Sequence, residues 1–568
     1  MNQAKRKIIT DFVKNIIAPG GRAFFPLELE EAIKKVAAGY ELPIGERRLP
    51  LGEYWEWQNN EDPAREQKID VLKSVLRNLT SKYFHKSTIK YGELESLAYL
   101  LYYLPRNLHK IQFILLQLFE NGLLPEEVNA LDIGTGTGTV PLASADFYEL
   151  LHHSFNLFDE QSGTNHVDFT CVDGSESNLQ LFEKLIDQLD IAGSHFSANC
   201  LPATSIDQNG NWLDSLPPGQ TYNLIFLSNI LTELVDFDLQ RKTRLIQSIS
   251  DRLAQDGFII LVEPADKANS QRFHALQRSL VQSGLYLNFP CDHLNLIHDK
   301  AVCSNCWAFR SERLKAPDFL KPLILNEGEL DEEIKWSYGI FSKTLHVKPS
   351  RLTPLLPSTL NGRRVDLNVK VMSPPLYGDS LYKVCTGEGQ TDLASMKAHR
   401  YEVLPSLAYG ETVSISKALI QANHNSKSAN GRYEILYDVQ TRVSSQQGQE
   451  KRSISRTIIR NAVRKQADAT YFMKRLFRFN GFRSGQLEVI SRVLEGRDTM
   501  AIMATSAGKS LCFQFPAMLL PGTAIVIAPL LSLVQDQLYN LRTFGFDQVQ
   551  QINSNLSASE REQVLQKL

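Results

Sequence analysis

Hydrophobic and polar positions divide this chain into stretches of different character. Apolar residues recur at helical spacing through residues 27–33 and again through 94–101, so residues 1–125 are expected to be helical. From Val128 to Asn288 the pattern changes. Apolar runs at 129–133, 168–172, 222–227 and 257–262 alternate with amphipathic segments. Nearly continuous apolar strands separated by helices predict a parallel sheet covered on both faces. Residues 289–317 are irregular and carry cysteines. Between 350 and 450, short alternating runs (365–371, 381–385, 412–416 and 433–443) are separated by Gly, Pro and Asn. They predict a small antiparallel β domain. The polar stretch 444–448 reads as an exposed linker. A basic helix then leads into a second α/β stretch, with an apolar strand at 499–503 and a helix at 511–519. The expected division is therefore 1–125, 126–288, 289–349, 350–445, 446–469 and 470–568. The fold class is α/β and multidomain: a helical N-terminus, a doubly wound sheet, a small β domain and a further lobe.

A chain of 568 residues with 43% hydrophobic and 22% charged residues has room for several buried cores. Its 61 Lys and Arg against 63 Asp and Glu give a net charge of -2, so any nucleic-acid surface must be local. No apolar run is long enough to span a membrane and no signal peptide is visible, so no membrane partner is expected. Seven cysteines in so long a chain do not read as a disulfide framework. A reducing, cytoplasmic setting is expected, with nucleoid association as a variant; oligomeric state is left open. Cys171, Cys200 and Cys512 read as buried thiols isolated from one another.

Asp132-x-Gly134-x-Gly136-x-Gly138 directly follows the apolar run 129–133. Glycines there let the backbone turn sharply and approach a ligand, and the next helix offers free N–H groups. Asp173 ends the following run, where an acidic residue can accept hydrogen bonds from a ribose. The spacing is not the dinucleotide pattern. It resembles the first motif of class I S-adenosylmethionine-dependent methyltransferases, which implies donor binding by Asp132, Gly134, Gly136, Gly138 and Asp173. Ser228-Asn229-Ile230-Leu231-Thr232-Glu233 stands where amino-methylating enzymes carry Asn-Pro-Pro-Tyr, so a ligand-binding form without transfer is the alternative.

Cys303-Ser-Asn-Cys306 has a metal-ligand spacing, with Cys291 twelve residues before Cys303 and Cys385 in the β domain. His293 and His298 are competing ligands, and buried thiols are the bland alternative. Together with residues 131–138, 261–264 and 306–310, these cysteines resemble the methyltransferase-like family that includes the mitochondrial small-ribosomal-subunit assembly factor. That resemblance spans about residues 85–420. It implies an iron–sulfur cluster held by Cys291, Cys303, Cys306 and Cys385. The family's middle cysteine sits nearer the first than Cys303 does, which keeps zinc as an alternative.

The last hundred residues carry a phosphate loop, Met503-Ala-Thr-Ser-Ala-Gly508-Lys509-Ser510, between an apolar strand and an apolar helix. Backbone N–H groups of such a loop cradle phosphates, Lys509 reaches the β- and γ-phosphates, and Ser510 binds Mg²⁺. Thr505 and Gly508 belong to the same cradle. Upstream, Gln486 is placed to read an adenine edge and Arg483 to support it; Phe477, Phe479 and Phe482 offer stacking or core packing. Downstream come Ala528-Pro529-Leu-Leu-Ser532 and Gln535-Asp-Gln537. These pieces resemble motifs 0, I and Ia of RecQ-family DNA helicases, in family order, over about 100 residues. The resemblance implies an ATP-dependent, 3′–5′ DNA motor with a RecA-like lobe. No Asp-Glu-x-His box occurs before Leu568, so this stretch is expected to bind ATP without hydrolysing it or unwinding DNA. Ser557-x-x-Glu560 reads as a capping box opening a last helix.

Arg452, Arg456, Arg460 and Arg464 recur every four residues and would form one positive stripe on a helix, able to neutralise phosphates. A solvated linker helix is the plain alternative. Two functional readings of different class result. One is a helicase motor fused to a donor-binding module that acts on nucleic acid. The other is an RNA- or ribosome-associated assembly module with a structural cluster and no catalysis. A non-enzymatic scaffold that binds neither nucleotide is a third.

Overall fold

The computed structural model describes residues 1–18, 22–52, 64–85, 91–158, 160, 166–189, 196–202, 213, 216–296, 308–324, 332–352, 362–372, 381–386, 389–395, 410–422, 433–437, 442–445, 465–504, 507–520, 522–546 and 549–566. The N-terminal region holds helix α1 (Gln3–Ile17), strand β1 (Arg22–Phe24), helix α2 (Leu27–Ala38), the hairpin β2 (Glu41–Ile44) and β3 (Arg47–Pro50), α3 (Arg65–His85) and α4 (Glu93–Glu120). Both stretches of helical spacing are helices, in α2 and α4. The region also contains strands, and β1 joins the main sheet.

That sheet is built from β4 (Glu127–Ile133), β5 (His166–Asp173), β6 (Phe196–Pro202), β7 (Tyr222–Ser228), β8 (Leu253–Pro264), β9 (Tyr286–Phe289), β10 (Arg310–Lys315) and β11 (Glu332–Ser342), with β1. Helices α5 (Thr139–Leu157), α6 (Glu176–Gln188), α7 (Leu239–Ser250) and α8 (Lys267–Gln282) lie between its strands in the chain. The spatial order is β1-β10-β11-β8-β7-β4-β5-β6, with β9 on β11. Strands β8 through β6 run parallel, and β11 joins β8 antiparallel. Alternate residues of each central strand enter two different cores. Ala130, Phe169, Phe226 and Ile260 pack on one face, and Leu131, Val172, Ile225 and Ile259 on the other. Burial on both faces is why these strands read as continuous apolar runs. The order reverses at β4, since β5 lies to one side and β7 to the other. Ligands of such sheets bind beyond the strand ends at that reversal, and the glycine turn lies there.

The small β domain comprises β12 (Arg364–Val371), β13 (Leu381–Thr386), β14 (Gly389–Ser395), β15 (Thr412–Ala422), β16 (Tyr433–Tyr437) and β17 (Arg442–Ser445). It is a closed barrel. The ladder runs β12-β13-β14-β16-β15, and β15 pairs back with β12. All its pairs are antiparallel except β14 with β16. Val369, Val371, Tyr382, Val384, Val413, Ile415 and Ile435 fill a core separate from those of the main sheet. A register shift between Val365 and Leu367 bends the β12–β15 ladder. Lys417 there adopts φ 58°, and Asp366 accepts from its N–H at 2.8 Å and from the Ser416 hydroxyl at 3.0 Å. Ser444 and Ser445, expected in a linker, pair instead with Ser414 and Val413. Ladder hydrogen bonds outweigh the polar composition there.

The last segment contains α9 (Gln466–Phe477), α10 (Gln486–Leu494), α11 (Leu511–Leu519), α12 (Leu531–Thr543) and α13 (Ala558–Gln566). Helix α11 lies where expected, and the Ser557–Glu560 capping box forms, with Glu560 N–H donating to Ser557 Oγ at 3.3 Å. The strand expected at 499–503 does not form. A parallel strand needs a neighbour, and among the described residues none pairs with it; Met500 and Ile502 are about nine-tenths exposed (89% and 90%).

This segment is built onto the main domain rather than standing apart. Arg475 of α9 clamps Asp146 of α5 through two N–H groups at 2.6 and 2.8 Å. Gln112 of α4 donates to the same carboxylate at 2.5 Å and is itself held by His109 at 2.7 Å. Asp468 accepts from Asn156 at 3.1 Å and contacts His153 Nδ1 at 2.7 Å, while Tyr471 stacks on His153 with centroids 4.0 Å apart. Phe472 packs edge-on against Phe12 of α1. Helix α5, which starts at the glycine turn, is thus also the seat of the last segment.

Candidate functional site

Strand β4 delivers the chain into the turn 134–138, where Gly134, Gly136 and Gly138 all take positive φ (75°, 58° and 87°). A side chain at Gly138 would run into the Phe182 ring, and one at Gly134 into Ile230. Gly138 leads directly into α5, whose first N–H groups point into the turn. The structure brings all five predicted donor residues together. Asp173 Oδ2 accepts from Gly136 N–H at 2.7 Å, and its Oδ1 from Ser175 N–H at 2.7 Å. Asp132 is fully buried beneath the turn, and neither carboxylate oxygen has a hydrogen-bond partner among the described residues.

Acidic groups missed in the sequence complete the site. Glu233 accepts from Tyr91 OH at 3.0 Å. The Glu263 carboxylate accepts from Leu231 N–H at 2.9 Å, from Thr232 N–H at 3.1 Å and from the Thr232 hydroxyl. Glu263 thereby holds the turn after β7, in which Asn229 adopts φ 60°. Burial pushes Asp132 and Glu233 up to about 8 and Glu263 up to about 7. Burial also raises Asp173. Tyr99 packs edge-on against Tyr91 and lies beside Gly136. Lys110 on α4 is pushed down to about 7 by burial and by Arg106. The acidic residues were visible in sequence as Glu233 and Val-Glu263-Pro, but nothing in their spacing marks them as neighbours of the glycine turn. The arrangement gathers the carboxyls of Asp132, Glu233 and Glu263 around the glycine turn that Asp173 braces.

The phosphate loop is described at 503–504 and 507–510; Thr505 lies outside the described residues. Gly508 takes φ 79°, and the Gln486 amide lies where a side chain there would go. Gln486 Nε2 donates to Gly508 O at 3.0 Å and its Oε1 accepts from Arg483 N–H at 2.7 Å. These contacts hold the Gln486 amide against the loop that carries Lys509 and Ser510. Lys509 Nζ donates to Met503 O at 3.1 Å. Gln537 Nε2 donates to Ser510 Oγ at 2.8 Å, its own orientation fixed by Gln514. The bond between Gln537 and Ser510 joins two stretches 27 residues apart in the chain. Phe477 is wholly buried against Phe515, Phe544 and Phe546, and Phe482 packs on Phe515, so both serve the core. Phe479 is nearly half exposed and packs edge-on against Phe544.

Cys291 and Cys385 enter one buried cluster, and Cys385 Sγ lies 3.5 Å from His293 Nε2. Buried Asp292 pairs with Lys370 beside them, joining the segment to the barrel. Cys303, Cys306 and His298 lie outside the described residues, as do Arg452, Arg456, Arg460 and Arg464. Among the described residues no group of three or more His, Cys, Asp or Glu is placed to hold a metal ion. Cys171 and Cys200 are not isolated: they are register partners on β5 and β6. Strand pairing joins what 29 residues of sequence separate. No helix among the described residues is long and apolar enough to cross a membrane.

The fold and the turn define a doubly wound α/β domain with a glycine-rich turn at the reversal of its strand order, and a helical last segment that carries a glycine-lysine-serine loop. The profile described as mitochondrial small ribosomal subunit Rsm22 matches residues 93–392, more than half of the chain. The chain belongs to that family. The DEAD/DEAH box helicase profile matches residues 483–568. The chain is 32% identical over 179 residues to ATP-dependent DNA helicase Q-like 5 of Arabidopsis thaliana, covering 30% of this chain and 19% of that protein. It is 42% identical over 96 residues to ATP-dependent DNA helicase RecQ of Haemophilus influenzae, covering 17% and 15%. The chain thus spans less than a fifth of the length of these relatives. Ribosomal protein L11 methylase from Lactobacillus delbrueckii superposes at a TM-score of 0.21 and 10% identity, over 32% of this chain and 71% of that one. A superposition that loose adds nothing to the strand order.

Proposed function

We propose that the main domain binds S-adenosylmethionine at the 132–138 turn and presents it to a nucleic-acid acceptor, while the 503–510 loop binds ATP with Mg²⁺. The observation that carries the first part is the glycine turn braced by Asp173, above a buried Asp132 whose carboxylate accepts no hydrogen bond within normal geometry among the described residues. The donor carries a sulfonium and an ammonium, which the carboxyls of Asp132, Asp173, Glu233 and Glu263 would stabilise, and a ribose that Asp173 would hold. Lys509 and Ser510 would take the phosphates and the Mg²⁺, with Gly508 allowing the close approach. The Arabidopsis thaliana and Haemophilus influenzae relatives are named DNA helicases, which favours DNA as the motor's substrate. Membership of a small-ribosomal-subunit family favours structured RNA as the second reading. Cys291 and Cys385, with Cys303 and Cys306, would hold an iron–sulfur cluster, or zinc in its place, as a structural centre. Soft thiolates on two segments suit either.

Calorimetric titration with S-adenosylhomocysteine and S-adenosylmethionine tests the donor site. Asp173→Ala is expected to weaken binding by roughly 10-fold or more, since a charged acceptor is lost. Failure of the wild-type chain to bind either ligand would overturn the reading. The pH dependence has a defined sign. A cation favours the ionised form of carboxyls raised to about 7 and about 8. Binding of the sulfonium ligand should therefore release protons and strengthen from pH 6 to 8. The neutral-sulfur homocysteine ligand should show a weaker dependence.

A further inference from the structure

The small barrel has a strand order of its own, apart from the main sheet. Counting β12 to β16 as strands one to five, the closed ladder reads 1-2-3-5-4-1, with strands three and five parallel and every other pair antiparallel. Closure of so small a barrel requires a sharply bent strand. The register shift in the β12–β15 ladder and the left-handed Lys417 supply it, locked by Asp366. This strand order is that of the five-stranded Greek-key barrel, a fold whose members bind oligonucleotides or oligosaccharides across the outer face of their second and third strands.

We infer that the barrel is a single-strand nucleic-acid binding module, and that its binding face is the outer side of β13 and β14. On β13 the alternation is unambiguous. Tyr382 and Val384 point into the barrel core, so Lys383 and Cys385 point outward. Lys383 is partly exposed, at the centre of the face, and is the register partner of Asp392. Cys385 lies at the end of the strand that meets the main domain, beside His293 and close to the buried Asp292–Lys370 pair. A strand bound along this face would therefore be led toward the main domain rather than away from it. Lys and Arg outnumber Asp and Glu ten to eight between residues 362 and 445, a small local excess in a chain whose net charge is -2. The other established ligand of such barrels is an oligosaccharide. The neighbouring helicase segment favours the nucleic acid.

The test uses the whole chain and photo-crosslinkable 20-mers, one single-stranded and one duplex. The expected result is a crosslink within residues 381–395 and preference for the single strand. Lys383→Glu should weaken single-strand binding by about 3- to 10-fold and lower the salt slope by about 0.7, the value for one phosphate contact on a single strand. Lys383→Arg should restore both. Crosslinks confined to residues 465–568, equal affinity for the duplex, or a Lys383→Glu variant with unchanged slope would overturn the inference. Binding of S-adenosylmethionine and of ATP is read separately, so failure of either site does not decide this one.

Discussion

Replacing Asp146 with alanine is expected to destabilise the fold by about 3–5 kcal/mol, because it leaves a buried guanidinium without its counter-ion. Burial alone disfavours the Arg475 charge, and the Asp146 carboxylate outweighs it and holds the group protonated. Both side chains are nearly enclosed, at 10% and 14% exposure, so solvent screening does little to soften the loss. The same carboxylate anchors Gln112, and through it His109, which burial lowers to about 4 and so keeps neutral. One substitution thus breaks a network that spans α4, α5 and α9. Urea denaturation of the whole chain measures it. Asp146→Leu combined with Arg475→Met should recover most of the loss, since an apolar pair of similar size carries no desolvation penalty. A single-variant change under about 1 kcal/mol would show that the last segment is not held by this pair.

The second large effect is at the phosphate loop. Lys509→Ala should weaken Mg²⁺–ATP binding by roughly 10- to 150-fold, the loss of about 1.5–3 kcal/mol for hydrogen bonds to charged groups. The ammonium now donates to Met503 O at 3.1 Å and would exchange this neutral acceptor for phosphate oxygens. Titration with a fluorescent ATP analogue reads the change. Binding of S-adenosylhomocysteine should be untouched, because Lys509 is not among the groups that line the donor turn. An unchanged ATP affinity would remove the loop from the nucleotide site.

Legibility in the sequence followed how local each signal was. The four central strands were plain because both their faces are buried. The donor turn was plain because each glycine sits at a position that requires it. Strand β14 was not, since Gly389-Gln-Thr-Asp-Leu-Ala-Ser lacks the alternation that marks a strand; pairing with β13 and β16 makes it one. The runs beside the phosphate loop show the converse, apolar composition without a ladder partner among the described residues. Long-range contacts left no trace at all. Arg475 and Asp146 stand 329 residues apart, and neither is unusual in its own helix. The acidic neighbours of the donor turn were hidden for the same reason, because Glu233 and Glu263 reach it only through the parallel arrangement of β4, β7 and β8.

The most direct test of the whole account is a two-ligand titration of the intact chain, S-adenosylmethionine first and Mg²⁺–ATP second, then in reverse order. Two separate sites predict one equivalent of each, bound together and without competition, with Asp173→Ala weakening only the first and Lys509→Ala only the second. Competition between the ligands, or saturation by one that excludes the other, would contradict it.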